Sequence, residues 1–519
     1  MADVFDSYTM ADAWDEMFER PGVVRAPYEP VFAALQPLDA AELSFRAEQM
    51  ARSFTDRGVT YAHAGEERPF PLDLVPRILD AMEWDAITRG VRQRIQALEA
   101  YLSDAYGRCQ VFEDGVVPYR LLHSSPHYHR AANGVEPPNG VRVHIAGIDL
   151  VRDVDGGFRV LEDNVRIPSG VSYVIENRRA MTRVFPSLFA EAPVRPVDEY
   201  PQRLLASLRA GAPEGVHDPT VVVLSPGVHN AAYFEHALLA RLMGVQLVEG
   251  RDLVCSGNRV RMRTTRGEVP VHVVYRRVDD DFLDPLHFRP DSVIGCPGIM
   301  SAARAGRVTL ANAVGNGIAD DKLLYTYVPD LIRYYLGEEP LLPNVESYRP
   351  EEPGQLEAVL DQLDKLVIKP VDGAGGAGIV IGPRADRATL DAVRERLIAN
   401  PRGWIAQRPV MLSTSPTLTE GGVAPRHIDL RPFAVNDGSD IWLLPGGLTR
   451  VALGEGNLVV NSSQGGGSKD TWVVPRHRTR GEGGPSILSA IAAGETLPPA
   501  RGVAPRQLGP AAEQQGDQQ

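Results

Sequence analysis

Residues 366–380 read LVIKPVDGAGGAGIV. An apolar run carries one charged residue, Lys369, and opens into a loop with four glycines, at 373, 375, 376 and 378. A second apolar run, IVIG, follows. An ammonium inside an apolar strand needs a counter-charge, and a phosphate or a carboxylate would serve. The loop fits G-x-G-x-x-G at Gly373, Gly375 and Gly378, but a dinucleotide fingerprint needs a helix directly after its glycines. Here a strand-like run reaches Pro383 instead. A Walker A loop carries its lysine after the glycines, and this lysine precedes them. The stretch therefore predicts a β-hairpin whose glycine tip folds over nucleotide phosphates. A plain glycine-rich turn is the competing reading in a chain with 49 glycines. Gly373 to Val380 also matches the kinase loop G-x-G-x-x-G-x-V. The chain has no D-F-G, however, and HIDLRPFAVN (427–436) lacks the catalytic-loop spacing to asparagine.

The surroundings narrow the class. A chain of 519 residues suggests two or three domains. No apolar stretch approaches the roughly 20 residues of a membrane helix. The acidic start, MADVFDSYTMADAWDEMFER, is not a secretory signal, so the expectation is a cytoplasmic protein with no membrane partner. A net charge of −13 disfavours non-specific nucleic-acid binding. The cysteines, Cys109, Cys255 and Cys296, form no CxxC pair. Only four lysines occur, Lys322, Lys365, Lys369 and Lys469, and arginine fills every other basic position. That bias weakly favours a need for compact ammonium groups at these places.

Residues 1–115 read as mainly helical. PLDLVPRILDAMEWDAITRGVRQRIQALEAYLSDAYG (71–107) has apolar spacing of three to four, with Gly107 as a stop. Residues 116–200 contain VRVHIAGIDLVRD and FRVLEDNVRI, two β-rich runs joined by Asp155-Gly156-Gly157, a hairpin signal. Residues 201–310 carry a strand–helix–strand rhythm: PTVVVLSPG, a helix from Asn230 to Met243 stopped by Gly244, then VQLVEG and VHVVYRRV. This predicts a Rossmann-like parallel sheet. Residues 311–478 hold a helix from Lys322 to Leu336, then strands with one helix near 386–399. Residues 479–519, rich in Gly, Pro, Ala and Gln, read as a disordered tail.

A phosphate site requires Mg²⁺, held by one or two carboxylates and the phosphates themselves. RVLEDNVRIPSG (159–170) offers Glu162 and Asn164 on one strand face and Asp163 on the other. Asp149, on the partner strand, adds a second carboxylate. A strand edge with solvated polar residues accounts for the same spacing equally well. In YRRVDDDFLDP (275–285), Arg276 and Arg277 suit a substrate carboxylate, and Asp279 and Asp280 suit an amine. A self-neutralising cluster is the alternative. HSSPHYH (123–129) reads as a surface loop rather than a metal trio.

Together these parts resemble the ATP-grasp fold. Its elements here are a lysine strand, a glycine-rich hairpin, a hinge strand (WIAQRPV, 404–410) and a carboxylate-x-Asn strand. The metal strand precedes the lysine strand, an order similar to circularly permuted ATP-grasp proteins and, more distantly, to glutathionylspermidine synthetase. The resemblance spans roughly residues 25 to 475. It includes GIDLVRD, LEDNVRIPSG, ENRR, ANAVGNGIADDK, RYYLGEEP, HIDLRPF and GGGSKDTWV. It implies an α/β (α+β) fold with a helical N-terminal region and a Rossmann-like subdomain. The implied activity is ATP- and Mg²⁺-dependent ligation of a carboxylate to an amine through an acyl phosphate. The partners are small-molecule or peptide substrates, and the resemblance sets no oligomeric state. Within it, Lys369, Lys322 and the glycines contact phosphates, and Gln407 contacts adenine. Asp149, Glu162 and Asn164 hold magnesium. Arg431 clamps the transferring phosphoryl group, with a salt bridge to Asp429 as its alternative. Lys469 contacts the γ-phosphate or the acyl phosphate, and Arg276 the substrate. A phosphotransferase, or a nucleotide-binding scaffold without turnover, remains open.

Overall fold

The computed structural model describes residues 4–63, 66–191, 193–371, 378–458, 460 and 466–475. Three of the glycines singled out above, Gly373, Gly375 and Gly376, lie outside these residues, as does the segment 479–519. The described residues all belong to one compact unit, Met1–Arg476.

The hairpin signal at Asp155-Gly156-Gly157 joins Ile145–Arg152 to Phe158–Asn164 as antiparallel strands. Phe433–Asn436 pairs with the other edge of Ile145–Arg152, and Ile441–Leu443 completes a four-stranded sheet. Strands almost 290 residues apart in sequence thus lie side by side, as the permuted order requires.

The lysine strand Val367–Pro370 pairs antiparallel with Val380–Ile381, so a strand, not a helix, follows the glycine loop. Its other neighbour is the hinge strand Trp404–Gln407, which pairs in turn with Ser347–Tyr348. A helix, Arg387–Ala399, is started by Asp386, whose carboxylate accepts the Thr389 N–H.

The Rossmann-like segment forms a parallel sheet in the order Thr309–Ala311, Val273–Arg276, Val221–Leu224, Gln246–Val248. Its helix, Tyr233–Met243, ends at Gly244 with φ +70°, the left-handed conformation that glycine adopts without strain.

Two elements differ from the sequence reading. Residues 71–107 are not one helix. Leu72–Asp80 is a buried strand running parallel to Gly467–Val474, and the helix is Ala81–Ala105. Asp80 marks the boundary: its carboxylate accepts the Met82 and Glu83 N–H groups, and Glu83 answers in a capping box. The predicted helix Lys322–Leu336 is likewise two, Lys322–Tyr325 and Val328–Leu336. Pro329 occupies the second position of the later helix, where its missing N–H costs nothing, but it cannot continue the earlier one.

Candidate functional site

In the 145–164 hairpin Asp149 lies directly opposite Glu162, and Gly147 opposite Asn164. All four positions share one face. Asp163 points the other way. It is buried and takes a bidentate pair from Arg94, at 2.5 and 2.7 Å. Gly147 matters because it is small: a Cβ there would sit 3.2 Å from the Arg431 side chain. Arg431 crosses this gap to reach Asp149 with Nε at 2.5 Å and Nη2 at 2.7 Å. Arg450 donates to the same carboxylate at 2.7 Å and also pairs with Asp429. Burial alone would raise Asp149, but the two guanidiniums outweigh it and hold the carboxyl below its ordinary value.

Two lysines approach this face from elsewhere in the chain. Asp321 accepts the Leu323 N–H and starts the short helix that carries Lys322. The Lys322 ammonium stands 4.0 Å from Glu162. Lys369 extends from the lysine strand, half-buried, with no hydrogen-bond or ion-pair partner among the described residues. Burial pushes its ammonium down to about 8. Glu162 and Asp149 oppose that shift, and neighbouring Lys322 adds to it. An ammonium held in this way is short of an anion.

Glu162 and Asn164 fit a hard cation by their donors, one carboxylate and one amide oxygen. Glu162 is 35% exposed at its side chain. The Asn164 amide nitrogen is buried without a partner, so protein groups alone do not complete its surroundings. Among the described residues no group of three or more His, Cys, Asp or Glu is arranged to hold a metal. The remaining ligands would be phosphate oxygens and water. Asp149 is the weaker donor, because both of its oxygens already accept guanidinium protons.

Other expected site residues are placed differently. Lys469 is fully buried, and its three protons go to Asp73, Val75 O and Pro416 O. It ties strands together and has no donor left for a phosphoryl group. Arg276 is spent on Asn312 O, Val278 O, Ala313 O and Asp280 at the end of its strand. It braces the Rossmann-like sheet and faces no open site. Gln407 is buried beside the lysine strand and donates to Ser347 Oγ at 2.9 Å. Gly378 has φ +76°. Arg431 does not pair with Asp429, which belongs to Arg450. Arg277 is held by Glu235, Ser169 Oγ and Pro168 O.

The sequence reading passed over four residues at or beside this face: Gly147, Arg450, Arg166 and Asp320. Arg166 donates to Asp279 at 2.9 Å. Asp320 accepts the Val165 N–H at 2.7 Å, just beyond Asn164. Burial, with Glu162 and Asp163 nearby, pushes Asp320 up to about 7 against the pull of Arg166. The clue was present in ADDK, where two acids precede the lysine, but no spacing rule ties that segment to residue 165.

Residues 76–452 match the circularly permuted ATP-grasp type 2 family. The chain belongs to that family. It is 60% identical over 475 residues to an uncharacterised protein of Mycobacterium tuberculosis, covering 91% of this chain and 86% of that one. An uncharacterised Synechocystis protein is 49% identical over 472 residues, 90% of this chain and 98% of its own length. A Frankia casuarinae protein named as a glutamate–cysteine ligase is 46% identical over 467 residues. These are 89% of this chain but only 54% of that protein. Among solved structures, a glutathione synthetase-like effector of Globodera pallida in its apo form aligns with a TM-score of 0.56 at 10% identity. The alignment covers 84% of this chain and 98% of the effector, a likeness of fold. Among the described residues no helix is long and apolar enough to cross a membrane.

Proposed function

We propose that the chain is an ATP- and Mg²⁺-dependent ligase that joins a carboxylate to an amine. One observation carries this reading. Glu162, Lys322 and Lys369 lie far apart in sequence, yet the charges of Glu162 and Lys322 both act on the Lys369 ammonium. A carboxylate and two cations on one face, with an under-compensated lysine, suit a metal–polyphosphate complex. The family and the ligase-named relative support C–N bond formation as the reaction class.

Lys369 and Lys322 hold phosphate oxygens of ATP. Glu162 and Asn164 hold the magnesium ion, which when bound draws charge from the phosphoryl oxygens. A substrate carboxylate oxygen attacks the γ-phosphorus, and the bond to the β-phosphate oxygen breaks to release ADP. Arg431, whose Nε and Nη2 hold Asp149 and whose Nη1 donates to Ser169 O at 3.3 Å, positions Asp149 at this face. The amine nitrogen then attacks the acyl carbon. Phosphate leaves with its bonding electrons, and the amine proton passes to solvent.

The test is phosphate release from ATP, measured against pools of carboxylates with and without amines. Release that needs both supports ligation. A stable phosphorylated product from one acceptor alone would replace this reading with a phosphotransferase. ATP binding with no turnover on any pool would replace it with a scaffold.

A further inference from the structure

Several buried arginines meet an acid of their own. Arg94 meets Asp163, Arg178 meets Asp470, and Arg277 meets Glu235. Arg431 and Arg450 meet Asp149 and Asp429. One further grouping lines a cavity. It lies where the end of helix Ala40–Asp56 meets helices Val171–Val184 and Tyr233–Met243. There Glu176, 1% exposed, gives one oxygen to Arg57 at 2.6 Å and the other to Arg179 at 2.7 Å. A cavity of about 220 Å³ opens beside this pair, lined by Arg57, Val59, Glu176, Phe234 and Arg241. Arg241 has no hydrogen-bond or ion-pair partner among the described residues. Arg57 and Arg241 thus line the cavity with one carboxylate, that of Glu176, which Arg57 and Arg179 already neutralise.

Beside the cavity lies a stranded donor. Nη1 of Arg57 has no accessible surface and no hydrogen-bond partner. The Glu176 oxygen facing this guanidinium also lacks a hydrogen-bond partner, so the pair at the cavity edge is incompletely satisfied. The space is far larger than the roughly 30 Å³ share of one water. The local excess of two positive charges stands out in a chain of net charge −13.

We propose that this cavity is a binding site for a small oxyanion, a phosphate or carboxylate group, separate from the nucleotide face. Arg57 and Arg241 grip it from opposite helices with forks that match its oxygens. Phe234 and Val59 form an apolar wall that limits it to a compact group. Glu176 holds Arg57 in place. The bound anion would tie the helix of Glu176 to the helix of Arg241. The second of these also carries Glu235, whose carboxylate accepts the Gly170 and Ser172 N–H groups after the metal strand.

The test is calorimetric titration of the full chain with inorganic phosphate and, separately, with citrate, at low ionic strength. The same titrations are run on Lys369→Ala, Arg241→Met and Arg57→Met. The site predicts saturable binding of at least one probe that Lys369→Ala leaves intact. Arg241→Met and Arg57→Met should each weaken it by about tenfold or more, as expected for a lost charge-assisted fork. Arg241 is exposed and unpaired, so its replacement tests the site even if Arg57→Met fails to fold. Phosphate binding without citrate binding assigns phosphate chemistry, and the reverse assigns carboxylate chemistry. No saturable binding of either anion would overturn the proposal. So would binding that Lys369→Ala abolishes and Arg241→Met does not change, since the anion would then occupy the nucleotide face.

Discussion

Lys369 joins two opposite effects in one residue. Its ammonium titrates near 8 in the folded chain against an ordinary value of 10.5. Between those values the unfolded chain holds a proton that the folded chain has lost. Stability from this site therefore rises with pH from about 8 to 10.5, and the charged form is a burden at neutral pH. Lys369→Met should raise the thermal midpoint of the nucleotide-free protein at pH 7. The same change should weaken ATP binding by about 10- to 100-fold, the worth of a hydrogen bond to a charged group. In the wild type, ATP affinity should fall as pH passes 8, because phosphate prefers the protonated lysine over the pull of Lys322 and against Glu162 and Asp149. Lys369→Arg should flatten that profile, and calorimetry across pH 7 to 9.5 reads it directly. Asp149 gives a second test. As a latent third ligand restrained by Arg431, it predicts that Arg431→Met tightens Mn²⁺ binding to the nucleotide-free chain by about tenfold, roughly 1.4 kcal/mol, because Arg450 still holds the carboxylate. Unchanged binding by electron paramagnetic resonance would assign Asp149 a purely positioning part.

At the level of elements, local signals read well and long-range pairing did not. The 145–164 hairpin, the Tyr233–Met243 helix and the strand after the glycine loop all announce themselves through turn residues and apolar period. Leu72–Asp80 does not. Leu74, Val75, Ile78 and Leu79 are compatible with either period, and the strand is decided by Gly467–Val474, almost 400 residues away. Lys469 was misread for the same reason. A lysine beside three glycines suggests a phosphate loop, yet Asp73 and two carbonyls from distant strands claim it. Capping was legible but unused: Asp80 and Glu83 spell the box that opens the long helix. Asp80→Ala should cost about 0.5–2 kcal/mol by urea denaturation, with ATP affinity unchanged. Glu235→Ala should cost more, about 3–5 kcal/mol, because it leaves the buried Arg277 without its carboxylate and uncaps Gly170 and Ser172.

For the whole molecule, the order of motifs carried the fold. A carboxylate-x-Asn strand before a lysine strand signals permutation, and the sheet joining Phe433–Asn436 to Ile145–Arg152 closes it. Of the candidate site, the residue types were legible in Lys322, Lys369, Glu162 and Asn164, and folding brings Lys322 to within 4.0 Å of Glu162. Its salt-bridge scaffold was not: Gly147 and Asp429 lie inside quoted motifs, but their pairing with Arg431 and Arg450 is set only by folding. Since the proposed nucleotide face gathers three distant segments, a bound nucleotide should stabilise them together. A non-hydrolysable ATP analogue with Mg²⁺ at a hundred times its Kd should add about 2.7 kcal/mol to the unfolding free energy. The central claim is that these segments form one magnesium–nucleotide site, and calorimetric titration of ATP with and without Mg²⁺ tests it most directly. The account predicts binding by the wild type, weakened binding by Lys369→Ala, and binding by Glu162→Ala that no longer depends on magnesium. Absence of ATP binding by the wild type in magnesium would contradict it.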